Sequence, residues 1–278
     1  MNNLKRLLQP KSIALLGGIW AKNVYAQLRK SHFDGDIWPV HPTKETLGEH
    51  RCFKNLESLP HPPDATFIGV NRHKTIEIIQ ELDQIGAGGA VCFASGFSEL
   101  GPANEKEDGH KLQAELISAA QKLAILGPNC YGFLNYLDNI TLWPDQHGGS
   151  QVDSGVAIIA QSSNIAINLT MQKRSLPIAY VLTVGNQAKS GISDLIEMLL
   201  DDVRVTAIGL YIEGFDSVQN FEAAAKRATI LKTPLVVLKV GKTAQSMAMT
   251  LSHTASMTGD NIAGTTFINR LGCIEVAS

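Results

Sequence analysis

Two side chains in this sequence have the chemistry of a nucleophile and of the group that aims it. His253 lies in Ser252-His253-Thr254-Ala255-Ser256-Met257-Thr258-Gly259-Asp260. That small, polar, glycine-bearing segment follows the apolar run Pro234-Leu235-Val236-Val237-Leu238-Lys239-Val240-Gly241. An imidazole on a loop after a buried strand is placed for covalent group transfer. Glu213, in Tyr211-Ile212-Glu213-Gly214-Phe215, ends another apolar run. Its carboxylate could hold one imidazole nitrogen of His253, fixing the tautomer so that the other nitrogen attacks phosphorus. The bland alternative is a surface glutamate.

Other strand ends carry groups suited to anions. Gly17-Gly18 follows Ser12-Ile13-Ala14-Leu15-Leu16, and glycines there let backbone N–H groups approach a phosphate at a helix start. The full G-x-G-x-x-G pattern is absent, which disfavours a dinucleotide. Lys44, in Val40-His41-Pro42-Thr43-Lys44, could reach a nucleotide phosphate from the next strand end. Ser95 and Gly96, in Phe93-Ala94-Ser95-Gly96-Phe97, and Pro128 and Asn129, in Gly127-Pro128-Asn129-Cys130-Tyr131-Gly132, leave two more strands. Singly these are ordinary turns; together they make a cleft with exposed backbone donors. Gln161-Ser162-Ser163-Asn164 joins a buried strand to a helix. Ser162, Ser163 and Asn164 are good N-cap residues, and a helix start also offers unpaired N–H groups to a phosphoryl group. No H-E-x-x-H, G-x-S-x-G or Walker A motif occurs, and no residues have metal-ligand spacing.

These groups need a scaffold of strands alternating with helices. Strands are expected at residues 12–16, 36–40, 65–70, 89–93 and 124–127, with helices at 22–31, 73–86 and about 105–123. Residues 138–154 are irregular and read as a domain connection. The rhythm then restarts, with strands at 155–160, 178–184, 207–212, 235–240 and 272–276. Helices are expected at 164–174, 194–201 and 221–231 and after Gly259. That alternation predicts an α/β chain of two doubly wound units with parallel sheets, divided as residues 1–140 and 141–278.

The bulk properties agree with this reading. The chain has 278 residues, 44% of them hydrophobic and 18% charged, enough for a large packed core. Lysine and arginine total 24 against 26 acidic residues, a net charge of −2, and they are scattered, which argues against a nucleic-acid surface. No apolar run reaches the roughly 18 residues of a spanning helix, so no membrane role is expected. The N-terminus is not a secretory signal. Cys52, Cys92, Cys130 and Cys273 form no C-x-x-C pair and read as buried thiols of a cytoplasmic protein.

Taken in order, Gly-Gly after the first strand, Val-x-Pro-x-Lys, Ser-Gly-Phe-Ser-Glu, Gly-Pro-Asn-Cys, Gln-Ser-Ser-Asn, Val-Gly-Asn, Tyr-Ile-Glu-Gly and Lys-Val-Gly…Ser-His-Thr resemble one known family. It is the NDP-forming acyl-CoA synthetases, relatives of the succinyl-CoA synthetase α subunit, and the resemblance spans essentially the whole chain. It implies a Rossmann-like CoA-binding domain followed by a flavodoxin-like CoA-ligase domain. Coenzyme A would lie near Gly17, Gly18, Lys44, Ser95, Gly96, Pro128 and Asn129. His253 would carry the phosphoryl group and Glu213 would orient it. Ser162, Ser163 and Asn164 would cradle the phosphate, and Gly185 and Asn186 would line the acyl or phosphate region.

The implied reaction joins a carboxylic acid to CoA through phosphohistidine and acyl phosphate. ATP and Mg2+ would come from an ATP-grasp domain, in a C-terminal region or in another chain of an oligomeric assembly. Two positions depart from the family pattern: Ser163 and Ala255 stand where glycines are usual. A non-catalytic CoA-binding regulatory or scaffold module is the alternative reading. An NAD-dependent oxidoreductase is disfavoured by the glycine pattern.

Overall fold

The computed structural model describes residues 2–100, 108–240 and 261–277. Near the start of the chain, helix α1 (Asn2–Leu8) precedes strand β1 (Ser12–Gly17), helix α2 (Ile19–Lys30) and strand β2 (Asp36–Val40). A short hairpin, β3 (Thr46–Leu47) and β4 (His50–Arg51), leads to β5 (Ala65–Gly69), α3 (Arg72–Ile85), β6 (Gly89–Cys92), α4 (Gly109–Ala119) and β7 (Ala124–Leu126). Strands β8 (Phe133–Asn135) and β9 (Ile140–Leu142) follow. The second alternation is β10 (Gly155–Ala160), α5 (Ser163–Thr170), β11 (Ile178–Thr183), α6 (Ile192–Leu199), β12 (Val205–Ile212), α7 (Val218–Ile230), β13 (Leu235–Lys239), α8 (Asn261–Arg270) and β14 (Ile274–Glu275).

The strands form two main sheets. The first has the order β2-β1-β5-β6-β7, all neighbours parallel. The second has the order β14-β13-β12-β10-β11-β8-β9. Its strands β10 to β14 are parallel to their neighbours, and β8 and β9 add an antiparallel edge. Leaving that edge aside, both sheets wind in the same sense: the first strand sits in the middle, the second lies on one side, and the rest build outward on the other. Each therefore has a point where the winding reverses. In the first sheet it lies between β1 and β5, and in the second between β10 and β12. Ligands of such sheets bind outside the carboxyl ends of the strands at that point.

Burial explains the apolar runs. Strand β1 is buried except at its last residue, and β6 and β7 are buried throughout. Strands covered on both faces are expected to be near-continuously apolar. One core cluster joins α1 and α2 to the interior of the second unit, from Leu7 and Leu28 through Leu142 and Tyr180 to Phe221 and Ile268. A second cluster packs α3 and α4 on the other face of the first sheet, and a third packs α5 on the second sheet. The two units thus share a core.

Helix α1, the β3–β4 hairpin and strands β8 and β9 were not anticipated from the sequence. Helix α1 is short, and its apolar side chains are buried in the shared core. Residues 138–154, expected to be a connection, include strand β9, which pairs with β8, itself paired to β11. Around this edge, Arg204 bridges Asp138 and Asp202, both at 2.8 Å. The Tyr180 hydroxyl donates to Asp202 at 3.1 Å, and Gln9 Nε2 donates to that hydroxyl at 3.2 Å. The four cysteines are free and buried, as the sequence suggested.

Candidate functional site

The reversal points of the two sheets open on one cavity of about 760 Å³. Its walls come from the first unit (Trp20, the 69–73 segment, Phe93 to Ser95), from the link Asn129 to Tyr131, and from Gln161, Ser163 and Asn164 of the second unit. A concave site between two sheets with a few convergent polar groups is the usual form of a ligand site.

On the first side, backbone approach is the organising feature. Gly17 has φ +129°, and a Cβ there would lie 2.5 Å from the carbonyl oxygen of Gly69 across the gap between β1 and β5. Only glycine fits both the dihedral and the space. Gly18 is the N-cap of α2, with open space where a side chain would stand. Lys44 is exposed on the loop after β2, and its N–H donates to His41 Nδ1 at 3.1 Å. Desolvation, then Lys44 and Lys54, hold the His41 imidazole below its ordinary value. This loop is therefore positive through its lysines, which suits a phosphate.

The neighbouring strand ends divide between ligand space and internal bracing. Ser95 and Asn129 line the cavity. Asn129 takes a left-handed conformation, φ 59°, and its N–H donates to Ala94 at 2.9 Å. Gly96 is also left-handed, φ 100°, but its N–H already donates to Glu99 at 2.6 Å. The Pro128 carbonyl accepts the Asn186 N–H at 3.0 Å. Gly185, at φ 51°, packs against the Pro128 and Asn129 carbonyls. The Asn186 side chain donates to Glu99 at 2.5 Å and Gln113 at 3.1 Å. Gly185 and Asn186 thus clamp the second unit to the first.

On the second side, the decisive residue is one the sequence reading passed over. Gln161 is 1% exposed, and its Oε1 accepts the N–H groups of both Glu213 and Gly214, the latter at 2.9 Å. Those two donors fix the amide orientation and leave Nε2 as a buried N–H with no partner among the described residues. Next to it, Ser162 caps α5 without a side-chain capping bond, and Ser163 Oγ accepts the Tyr131 N–H at 3.1 Å. An amide donor and a helix N-terminus facing the same space make a cradle for an anion. Glu213 is 4% exposed at the end of β12, where Gln161 ties its backbone in place. His253 lies outside the described residues. Cys130, also at the cavity, is pushed up to about 12 by burial, so it stays a thiol and is no nucleophile.

Among the described residues, no cluster of His, Cys, Asp and Glu could hold a metal, and no helix is long and apolar enough to cross a membrane. Sequence reasoning also missed Trp20, Arg72, Phe93 and Tyr131 as cavity-lining residues. The clue to Arg72 was present: Asn71, at the end of β5, is a helix N-cap that accepts the Lys74 N–H at 3.0 Å.

Fold and cavity define a class: a tandem of two doubly wound α/β units whose reversal points open on one cavity. Comparison with known proteins gives the class its members. Residues 11–136 match the CoA binding domain and residues 153–278 match the succinyl-CoA ligase like flavodoxin domain. A trans-feruloyl-CoA synthase from an unknown prokaryotic organism is 32% identical over 98% of this chain and 39% of its own length. The alpha subunit of acetate–CoA ligase [ADP-forming] II from Pyrococcus furiosus is 29% identical over 92% of this chain and 56% of its own length. The structure of the dinucleotide forming acetyl-coenzyme A synthetase 1 of Ca. Korarchaeum cryptofilum, with phosphate and ADP, superposes with a TM-score of 0.87 at 26% identity. That superposition covers all of this chain and 60% of the other. The chain belongs to the NDP-forming acyl-CoA synthetase family, and it spans about two fifths to three fifths of the length of these relatives.

Proposed function

We propose that this chain is the CoA-binding and ligase part of an acid–thiol ligase, acting with an ATP-grasp domain or subunit. The observation that carries this reading is the shared cavity: the glycine-bared reversal point of the first sheet faces the Gln161–α5 cradle of the second. A thiol carrier on one side and a phosphoryl group on the other would meet there.

The first unit would hold coenzyme A, its diphosphate near Gly17, Gly18 and Lys44, and the rest past Ser95 and Asn129. His253 would take a phosphoryl group from ATP, with Mg2+ bound in the ATP-grasp part, and ADP would leave. The phosphoryl group would then pass from His253 to a carboxylate oxygen of the acid, giving an acyl phosphate. The CoA sulfur would attack the acyl carbon, and phosphate would depart. The relay divides one difficult condensation into easier steps. Since phosphoryl transfer needs mainly positioning and charge stabilisation, the α5 N-terminus, Ser162, Asn164 and Gln161 Nε2 supply what the step requires. Glu213 would accept from one imidazole nitrogen and direct the other at phosphorus.

We further propose a cytoplasmic location and a role for the units as residues 1–140 and 141–278, with the second sheet reaching back to β8. The test is phosphorylation by labelled ATP with an ATP-grasp partner. An acid-labile label that discharges on adding acid and CoA, and that is lost in His253→Asn, is the expected result. A label that persists in His253→Asn would overturn the assignment of the nucleophile.

A further inference from the structure

A separate cavity of about 290 Å³ opens where the end of α2 meets the segment joining the units. It shares no residue with the cavity between the reversal points. Lys30 and His32 line it from the first unit, Tyr136 and His147 from the edge of the second, and no carboxylate is among its lining residues. The Lys30 and His32 side chains have no hydrogen-bond or ion-pair partner among the described residues. Arg29 beside them is paired, with Glu49 at 2.6 Å. The positive charge at this cavity therefore has no counter-charge of its own.

The floor supplies a neutral donor. Tyr136 is 3% exposed, and its hydroxyl meets His147 Nδ1 at 2.9 Å. The Gly149 N–H donates to the same hydroxyl oxygen, so the hydroxyl proton goes to Nδ1. Burial and then Lys30 keep the imidazole neutral, and a neutral ring that accepts at Nδ1 carries its own proton on Nε2. That Nε2–H has no partner among the described residues. The rim is braced across the units: His32 and Asn139 both take left-handed backbone, φ 58° and 57°, and Ser31 Oγ lies 3.0 Å from the Asn139 carbonyl and 3.1 Å from the Thr141 hydroxyl. Uncompensated cations beside fixed neutral donors suit an oxyanion. The volume lies just under the roughly 300 Å³ at which sites for drug-sized ligands begin, so the anion is small.

We propose that this cavity binds a phosphoryl dianion, either free phosphate or the phosphate of a small monoester, held by Lys30, His32 and the Nε2–H of His147. Its occupant would bridge the two units away from the reversal points. The experiment reads the His147 ring by proton–carbon NMR of the full chain, the resonance being assigned by its loss in His147→Gln or by its contact with Tyr136. Inorganic phosphate at millimolar concentration, with ionic strength held constant by chloride, should shift that resonance saturably. Lys30→Met should raise the apparent Kd about fivefold, as loss of one partly exposed ion pair would give. His32→Gln should raise it less; both side chains are exposed, so both variants should fold. Gln161→Glu keeps the two backbone acceptances and repels phosphate from the other cavity, and it should leave the His147 response unchanged. AMP saturating below phosphate would make the ligand a monoester, and the reverse order would make it free phosphate. A ring that answers neither, or answers equally in Lys30→Met, overturns the proposal. Loss of the response in Gln161→Glu also overturns it, because the phosphate would then sit between the reversal points.

Discussion

The two reversal points share one topology and have been furnished in opposite ways. Between β1 and β5 the strand ends are bared: Gly17 and Gly69 face each other with no side chain between them. Between β10 and β12 the space is filled by the Gln161 amide, which ties Glu213 and Gly214 to the strand beside them. The first arrangement admits a ligand against the backbone. The second presents charged and polar groups at fixed positions and lets nothing into the sheet. Winding order decides where a ligand can sit; on the function proposed above, the first crevice would receive a molecule and the second would act on one.

The sharpest way to break this contrast is at the acting side. His253→Asn should abolish phosphoryl transfer, a loss of at least about a thousandfold in turnover as for other lone nucleophiles, while CoA still binds. Loss of CoA binding in that variant would mean the two sides are not separable.

At the receiving side, Gly17→Val should destabilise the fold by about 1–3 kcal/mol from its left-handed dihedral alone, with more from the clash on Gly69, and should weaken CoA binding. Gly18→Ala meets open space, though φ −85° and ψ −107° lie outside the α and β regions, and it should cost less than Gly17→Val. Equal urea midpoints for the two variants would refute the close-approach argument.

Gln161→Leu should cost about 1–3 kcal/mol in urea unfolding, because it strands two buried N–H groups, and should slow phosphorylation more than it weakens CoA. A variant that loses CoA affinity and phosphorylation in proportion would erase the distinction between the two crevices.

The last effect is read through pH and concerns the segment between the units. His147 is held down to about 4 by burial and then by Lys30, and its Nδ1 lies 2.9 Å from the Tyr136 hydroxyl. The folded state therefore favours the neutral ring. Its contribution is full above the unfolded value near 6.5 and is lost as pH falls toward about 4. Melting temperature should decline over that window, and His147→Gln should flatten the decline. An unchanged slope in the variant would assign the pH dependence to other groups.

Much of this scaffold was legible because fully covered parallel strands leave continuous apolar runs such as Ala65–Gly69 and Gly155–Ala160. Strands β8 and β9 were not, since three residues each carry no period and their pairing is decided by β11. In the site, Gly17 could be read from its position after a strand. The sequence drew attention to the hydroxyls of Gln161-Ser162-Ser163 as the anion cradle, whereas the amide's two backbone acceptances depend on Glu213 and Gly214, 52 and 53 positions away. Asn186 stands in a recognisable motif, yet its Nδ2 is spent on Glu99 and Gln113 of the other unit, a contact no local pattern encodes, and its buried Oδ1 has no partner among the described residues. Trp20, Phe93 and Tyr131 escaped notice as cavity-lining residues for the same reason: one comes from the first turn of α2 and the others from two separate loops.

Helix α1 has a practical consequence for anyone dissecting this chain. The CoA-binding match begins at residue 11, so the inherited module and the folding module have different edges. Leu7 and Leu8 are fully buried, Leu7 sits directly over Gly89, and the Leu8 carbonyl accepts from Asn135 of β8 at 3.2 Å. Trimming the chain to the homology boundary would remove two leucines whose burial is worth about 1.5–3 kcal/mol each and uncover the apolar surface they cover on both halves. Expression tags and fusion joints belong ahead of Asn2, and any attempt to produce the second unit alone would have to bring this helix along as a separate peptide.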